Sequence, residues 1–304
     1  MARIIVVTPN PAVDVTYRVD RQVLGETNRV LEVTRRAGGK GVNVARGLAA
    51  LGRDPICVLP LGGATGYWIA EALRDEGLEA STTTIAGLTR TTVAVTDQHA
   101  HPTLLVEPGP TLSTAEWSAL HANIERLIAD ADMLIVSGSL PAAADPAEVG
   151  RMVAAARAAG VPVLVDSSGD ALVVAARAGA DILKPNLQEL LEATRTTSPE
   201  TALSAAMELG AGLVVASRGA DGIIARDHER DYSVAAVGGV DGNPTGAGDA
   251  ATAGLAAALL EGLPIDEALR WSAALGAAAV LRPVAGDVDL DAFHLFLSRP
   301  DTTK

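Results

Sequence analysis

Aromatic side chains are scarce in this chain: Phe, Trp and Tyr make up 3% of its 304 residues, so aliphatic side chains and alanine must build the core. There is one cysteine, Cys57. That excludes an intrachain disulfide and a cysteine-cluster metal site, and its apolar surroundings, Ile56-Cys57-Val58-Leu59, predict a plain core residue. No apolar run of membrane length is free of charge or glycine. The opening ARIIVVTP reads as a strand and not as a leader, so a cytoplasmic protein is expected. Lysine is nearly absent, at Lys40, Lys184 and Lys304, and arginine supplies the other positive charges. With a net charge of −13, the chain is expected to bind neither nucleic acid nor an anionic membrane. An anionic small substrate would need a dedicated basic pocket. Lys40 and Lys184 lie in glycine- or proline-marked motifs, where a compact ammonium differs physically from a planar guanidinium. The five histidines, His99, His101, His121, His228 and His294, have no metal-ligand spacing and read as structural or solvated.

The pattern of apolar runs predicts an α/β fold. Val6 and its neighbours form a buried strand closed by Thr8-Pro9-Asn10-Pro11. Segments 14–19, 29–35, 91–96 and 104–107 read as strands with one buried face, the last two joined by a polar turn at 97–101. These four are expected to form a small sheet outside the main body that acts as a lid; the alternative is an edge extension of the main sheet. Residues 41–51 and 66–76 have helical spacing, with a strand at 56–59 between them. From 114 onward helices alternate with continuous apolar strands: helix 114–128, strand 133–136, helix 146–159, strand 161–165, a helix from 171, strand 182–183, one further helix and strand 213–216. Helices at 247–260, 265–281 and 290–297 complete the chain. Such alternation predicts a doubly wound, mostly parallel sheet flanked by helices on both faces. The expected division is a body of residues 1–11, 37–88 and 109–304, with a lid of 12–36 and 89–108.

The most informative stretch is Gly242-Asn243-Pro244-Thr245-Gly246-Ala247-Gly248-Asp249, followed by a long alanine-rich run. Small residues let the backbone approach a ligand, and the free N–H groups of a helix start favour negative charge. A carboxylate there is explained if it abstracts a proton. An anion hole beside a general base is the equipment for moving a phosphoryl group onto a hydroxyl. The alternative is an ordinary helix start with an acidic first turn. Other polar clusters fall at strand ends, where a doubly wound sheet places its ligands: Asn10 to Asp14, Gly38-Gly39-Lys40-Gly41-Val42-Asn43, Ser137-Gly138-Ser139, Asp166-Ser167-Ser168, Lys184-Pro185-Asn186 with Glu189, and Ser217-Arg218-Gly219 with Gly222. Gly38 to Gly41 can offer N–H groups and an ammonium to an anion, but lack the downstream Gly-Lys-Ser/Thr of a Walker A loop. Asn186 and Glu189 share a helix face and could serve Mg²⁺, or cap the helix. Ser217 to Gly222 reads as a phosphate-contacting turn or as a hairpin turn into Ile223-Ile224.

These motifs, in this order, resemble the ribokinase-like, PfkB-type carbohydrate kinases over nearly the whole chain. The resemblance rests on Gly-Gly-Lys-Gly-Val-Asn-Val-Ala-Arg from Gly38, Gly-Ala-Gly-Asp from Gly246, and Lys184-Pro185-Asn186 with Glu189. Thr8 to Asp14, Ser137-Gly138-Ser139-Leu140-Pro141 and the Asn243-Pro244 pair are similar to the 1-phosphofructokinase and tagatose-6-phosphate kinase branch. The resemblance implies γ-phosphoryl transfer from MgATP to a hydroxyl of a hexose phosphate, with ATP and Mg²⁺ required. It implies that Asp249 is the base and that Gly246, Ala247 and Gly248 form the anion hole. Asp14, Gly38, Gly39 and Asn43 would hold sugar hydroxyls; Lys40, Arg90 and Ser139 would meet the substrate phosphate. Lys184, Ser217, Gly219 and Gly222 would serve the nucleotide. Asn186 with Glu189 would serve the metal through water, since Mg²⁺ keeps much of its hydration. The lid would mediate a homodimer. Two positions depart: Thr91-Thr92 follow Arg90 where the branch carries an asparagine, and Leu104-Leu105 stand where some members have a second arginine. A free sugar or nucleoside therefore stays open as substrate, as does a catalytically silent relative that binds sugar or nucleotide.

Overall fold

The computed structural model describes residues 2–97 and 103–299; His99, His101, Lys304 and most of the turn expected at 97–101 lie outside them. The chain begins with β1 (Arg3–Val7), β2 (Ala12–Val19) and β3 (Val30–Gly38), then α1 (Lys40–Ala50), β4 (Asp54–Leu61), α2 (Gly63–Asp75) and β5 (Glu79–Thr84). Next come β6 (Arg90–Thr96), β7 (Thr103–Val106), α3 (Thr114–Ile128), β8 (Met133–Ser137), α4 (Ala147–Ala158), β9 (Val163–Asp166), α5 (Gly169–Arg177) and β10 (Ile182–Leu183). The last part holds α6 (Leu187–Thr194), α7 (Pro199–Leu209), β11 (Leu213–Ser217), β12 (Ile223–Arg226), β13 (Asp231–Val234), α8 (Ala247–Leu260), α9 (Ile265–Val280) and α10 (Leu290–Ser298).

The main sheet has the order β13-β12-β11-β10-β9-β8-β1-β4-β5 and is parallel except for the β11–β12 and β12–β13 pairs. Its central strands are continuous apolar runs because both faces are covered. In β1, Ile4 and Val6 join a core with α1, α8 and α9, while Ile5 and Val7 join a second core with α3, α4 and α5. Cys57, on β4, is buried as expected. Helix α8 is alanine-rich and almost wholly buried, so it can lie close against α1 and α9; at Gly47 of α1 an added Cβ would come 2.8 Å from Ala253 Cβ.

The four strands expected outside the body form a separate sheet, β3-β2-β6-β7. The register puts Asp14 beside Arg36 and Thr92, Thr16 beside Thr34 and Ala94, and Arg18 beside Glu32 and Thr96. With a side-chain period of two, these share one largely polar face. Val15, Tyr17, Val33, Val93 and Leu105 belong to the opposite face. Val33 and Leu105 are exposed there. The polar face borders a cavity of about 520 Å³ whose other wall is Gly242, Asn243, Pro244, Pro283 and Val284.

Three features differ from the expectations. Glu79–Thr84 is an added edge strand, the segment before β11 is two helices instead of one, and β12 and β13 extend the sheet antiparallel. The helix break falls at Ser198, whose side chain caps α7 by accepting from the Thr201 N–H, with Pro199 at the first helical position.

Candidate active site

Asp249 sits in the first turn of α8 and is buried. Gly246 precedes the helix with φ 83°, a left-handed conformation that glycine adopts without penalty. A Cβ at Gly246 would also lie 2.9 Å from that of Ala285, so the turn is closed on one side. Gly248 is different. A Cβ there would meet nothing within 4 Å, so this face of the helix start is open. The Ala247 N–H donates to Pro244 O at 3.1 Å.

Charged and polar groups gather around Asp249. Asn43 Nδ2 donates to its Oδ2 at 2.9 Å. Burial and the neighbouring Asp166 push the Asp249 carboxyl up to about 7, against the Asn43 hydrogen bond and the charges of Lys40 and Lys184. Asp166, at the end of β9, accepts from Lys40 Nζ at 3.2 Å and from Thr252 Oγ1 at 2.8 Å. Lys184 is buried, donates to Gly248 O at 3.0 Å and stands 4.0 Å from Asp166; burial lowers its pKa, partly offset by the carboxylates of Asp166 and Asp249. Burial also works against the Lys40 ammonium, but Asp166, Glu189 and Asp249 outweigh it and its pKa is raised.

Lys40 therefore faces carboxylates: Asp166 Oδ1 at 3.2 Å and Glu189 Oε1 at 3.5 Å. Asn186 and Glu189 form a reciprocal capping box at the start of α6, each side chain accepting from the other residue's N–H at 2.8 Å. The capping reading of this pair is thus present, with Glu189 Oε1 left to face Lys40. Asn186 also bridges Ser217 at the end of β11. Gly219 and Gly222 lie in the turn that closes the β11–β12 hairpin, both at positive φ. Ser139 is exposed just after β8, and Gly138 beside it approaches Lys40.

On the second sheet, Asp14 is packed against Gly38, where an added Cβ would come 2.0 Å from its Oδ2. Burial raises the Asp14 pKa; Arg46, Arg90, the Gly39 N–H and Arg36 work against the rise. At Gly39, φ is 107° and Thr8 and Pro11 leave no room for a side chain. Arg90 donates to Glu107 O at 2.9 Å and to Asn10 O at 3.1 Å, while its buried Nε has no partner among the described residues. It straps two of the segments that join the second sheet to the body. Arg36 makes a third link, donating to Asp287 at 2.8 Å.

Of the expected residues, Asn43, Lys40 and Lys184 gather near Asp249 and Asn186 meets Ser217, while Asp14 and Arg90 lie at the second sheet and Ser139 is exposed after β8. Sequence reasoning missed Thr252 and Glu76, and gave no role to Asp166 and Arg46, although both stand in motifs it singled out. Thr252 could have been found at helical spacing from Asp249 and Arg46 at helical spacing from Asn43. Among the described residues no group of three or more His, Cys, Asp or Glu side chains could hold a metal ion unaided. No helix among them is long and apolar enough to cross a membrane.

The profile of the pfkB family carbohydrate kinases matches residues 7–291. The chain is 30% identical to the tagatose-6-phosphate kinase of Staphylococcus epidermidis over 298 residues, covering 95% of this chain and 96% of that one. Its fold superposes on phosphofructokinase-2 from Escherichia coli in complex with potassium with a TM-score of 0.92, at 29% identity, covering 98% and 100% of the two chains. Against the ribokinase of Arabidopsis thaliana complexed with ribose and ATP the TM-score is 0.76, at 25% identity, covering 99% and 100%. With a buried carboxylate at a glycine-lined helix start, and a match that spans all but the ends of the chain, this protein belongs to the pfkB family of carbohydrate kinases, phosphotransferases that take ATP as donor.

Proposed function

We propose that this kinase phosphorylates a hydroxyl of a hexose phosphate, the candidates being fructose 1-phosphate, fructose 6-phosphate and tagatose 6-phosphate. The observation that carries the chemistry is the Asp249 carboxylate, buried at the start of α8 and tuned to about 7. A base of that strength accepts a hydroxyl proton near neutral pH. In the Gly246-Ala247-Gly248 turn, the Gly246 and Gly248 N–H groups are the proposed stabilisers of charge on the transferring phosphoryl group, while that of Ala247 donates to Pro244 O. Asp14, Gly38, Gly39 and Asn43 are assigned to the sugar hydroxyls, and Lys40, Arg90 and Ser139 to the substrate phosphate. Lys184, Asn186, Ser217, Gly219 and Gly222 are assigned to the nucleotide.

The substrate phosphate is supported by the relatives, a tagatose-6-phosphate kinase and a phosphofructokinase. The polar face of the second sheet, across its cavity from the 242–244 turn, supports its role as a lid that excludes water. A free sugar as substrate is favoured by two observations. Leu104, which pairs with Ala94 on the cleft face, brings no charge, and the terminal nitrogens of Arg90 already donate to backbone carbonyls. Release of ADP from MgATP that depends on an added sugar phosphate tests the proposal; no release with any sugar or sugar phosphate would return the chain to the silent-relative reading.

The donor set fits Mg²⁺ on the nucleotide side: Asp166 and Glu189 already share one cation, the Lys40 ammonium. Mg²⁺ bound with ATP would neutralise charge on its phosphates, held by Glu189 and Asn186 through water. Glu189→Gln should raise the Mg²⁺ concentration needed for half activity by about 10-fold, with a smaller change in sugar KM because Glu189 also faces Lys40. Unchanged Mg²⁺ dependence would leave the pair as a helix cap only.

Gly248 gives a separate prediction. Alanine favours helix over glycine by about 0.5–1 kcal/mol, and nothing obstructs a methyl here. Gly248→Ala should therefore melt no lower than the native protein. Its methyl would occupy the space of the incoming phosphoryl group, and kcat/KM should fall about 10–100-fold. A stable variant with native kcat/KM would remove this turn from the site.

A further inference from the structure

We propose that Arg46, held by Glu76, positions the proton-accepting carboxylate by fixing the Asn43 amide so that its N–H group faces Asp249. The inference rests on the reading of Asp249 as the base.

Arg46 is a buried cation on α1, one turn after Asn43. Its Nη1 donates to Asn43 Oδ1 at 3.1 Å. Its Nε and Nη2 donate to the two oxygens of Glu76 at 2.7 and 3.0 Å, and Nη2 donates also to Ala37 O at 2.6 Å. The paired contact with Glu76, the residue that follows α2, sets the plane of the guanidinium. A guanidinium only donates hydrogen bonds, and an ionised carboxylate only accepts them. Asn43 lies between the two, so only one orientation of its amide satisfies both neighbours: oxygen toward Arg46, nitrogen toward Asp249. Without Arg46 the amide could turn its oxygen to Asp249, and two acceptors would face each other.

The surroundings support a chemical role over a purely structural one. An apolar side chain of similar volume could join α1 to α2 without the cost of burying a charge. The loop after α9 closes over the chain of contacts: a Cβ at Gly286 would lie 2.9 Å from Asn43 Oδ1 and 3.0 Å from Arg46 Cδ. Water is thereby kept from replacing the Arg46 contact. The Asn43 hydrogen bond lowers the Asp249 pKa against the burial that raises it, so the orientation of the amide bears on how much base is ionised at neutral pH. Ala37 is in β3, where the second sheet rejoins the body, and Arg46 also favours the ionised form of Asp14. The same guanidinium thus holds the root of that sheet and acts through its charge on the carboxylate assigned to the sugar.

The test is a double-mutant cycle read in kcat and in its pH dependence. Arg46→Lys keeps the charge but cannot reach all its partners; kcat at pH 7 should fall about 10-fold with KM for MgATP within about twofold. The acid limb of the kcat profile should move up by about half to one pH unit. In an Asn43→Ala background, Arg46→Lys should cost less than about a further twofold, because its effect runs through the amide. Independent, multiplying losses, or an unmoved acid limb, would overturn the proposal. If Arg46→Lys does not fold, Glu76→Gln takes its place in the cycle: a smaller loss that disappears in the Asn43→Ala background supports the proposal, and multiplying losses overturn it. Asp249→Asn separates the two levels. If it is inactive while the cycle is additive, the positioning role alone fails; if it is active, the base assignment fails and the positioning role with it.

Discussion

Asp249→Asn should lower kcat by about 10²–10⁴-fold while MgATP binds with nearly native affinity. The asparagine side chain keeps the shape of the carboxylate and can still accept from Asn43, so the loss would report the missing proton acceptor and not a collapsed site. The native enzyme should show the matching pH dependence. Its base is about half ionised near pH 7, so kcat should fall about tenfold per pH unit below that point. The stability effect has the opposite sense. The folded pKa lies above the ordinary value of 3.8, so the carboxyl contributes stability that is full below 3.8 and lost as pH rises through about 7. Asp249→Asn, which cannot ionise, should therefore gain in Tm relative to the native chain as pH rises from 4 to 8. Thermal melts at those two limits check this, and equal Tm differences at both would contradict the buried, strained carboxylate.

Arg90→Ala should raise KM for a sugar phosphate by roughly 10–100-fold and hardly change the turnover of a free sugar. The chain carries a net charge of −13, so an entering dianion needs local positive charge. Charge-assisted hydrogen bonds of this kind contribute about 1.5–3 kcal/mol each. The geometry refines the expectation. Arg90 is not a free arm, because Nη1 and Nη2 hold Glu107 O and Asn10 O at the base of the second sheet and Nε is buried; a phosphate would have to compete for the terminal nitrogens. Its removal should therefore also loosen that sheet, seen as faster amide exchange in β2 and β6. Equal losses for sugar phosphates and free sugars would make Arg90 a strap between sheet and body and nothing more.

The legibility of the sequence follows from how each element is stabilised. Central strands such as β1 and β8 are buried on both faces, and a continuous apolar run declares them. The edge strand Glu79-Ala80-Ser81-Thr82-Thr83-Thr84 carries no such run, and backbone pairing to β4 creates it. The second sheet was legible because its alternation in polarity separates a cleft face from an apolar face. Within the site, the glycine turns and Asp249 are marked locally, since a positive φ or a close approach demands a particular residue. The partnerships of Arg46, Glu76 and Asp166 are different. Arg46 stands in the Gly38 motif and Asp166 at a strand end, but Glu76 carries no local mark, and contacts across 30 to more than 100 positions bring them together. Asn186 and Glu189 show the converse: their spacing fitted a metal pair or a helix cap, and the structure makes the cap through Asn186 Oδ1 and Glu189 Oε2.

The most direct measurement of the central claim is kcat/KM with saturating MgATP across fructose 1-phosphate, fructose 6-phosphate, tagatose 6-phosphate and the free hexoses, for the native enzyme and Asp249→Asn side by side. At least one sugar phosphate should exceed every free hexose with the native enzyme, and that activity should vanish into the background with Asp249→Asn. A free hexose turned over with a higher kcat/KM than every sugar phosphate, or an Asp249→Asn enzyme with near-native kcat, would contradict the account.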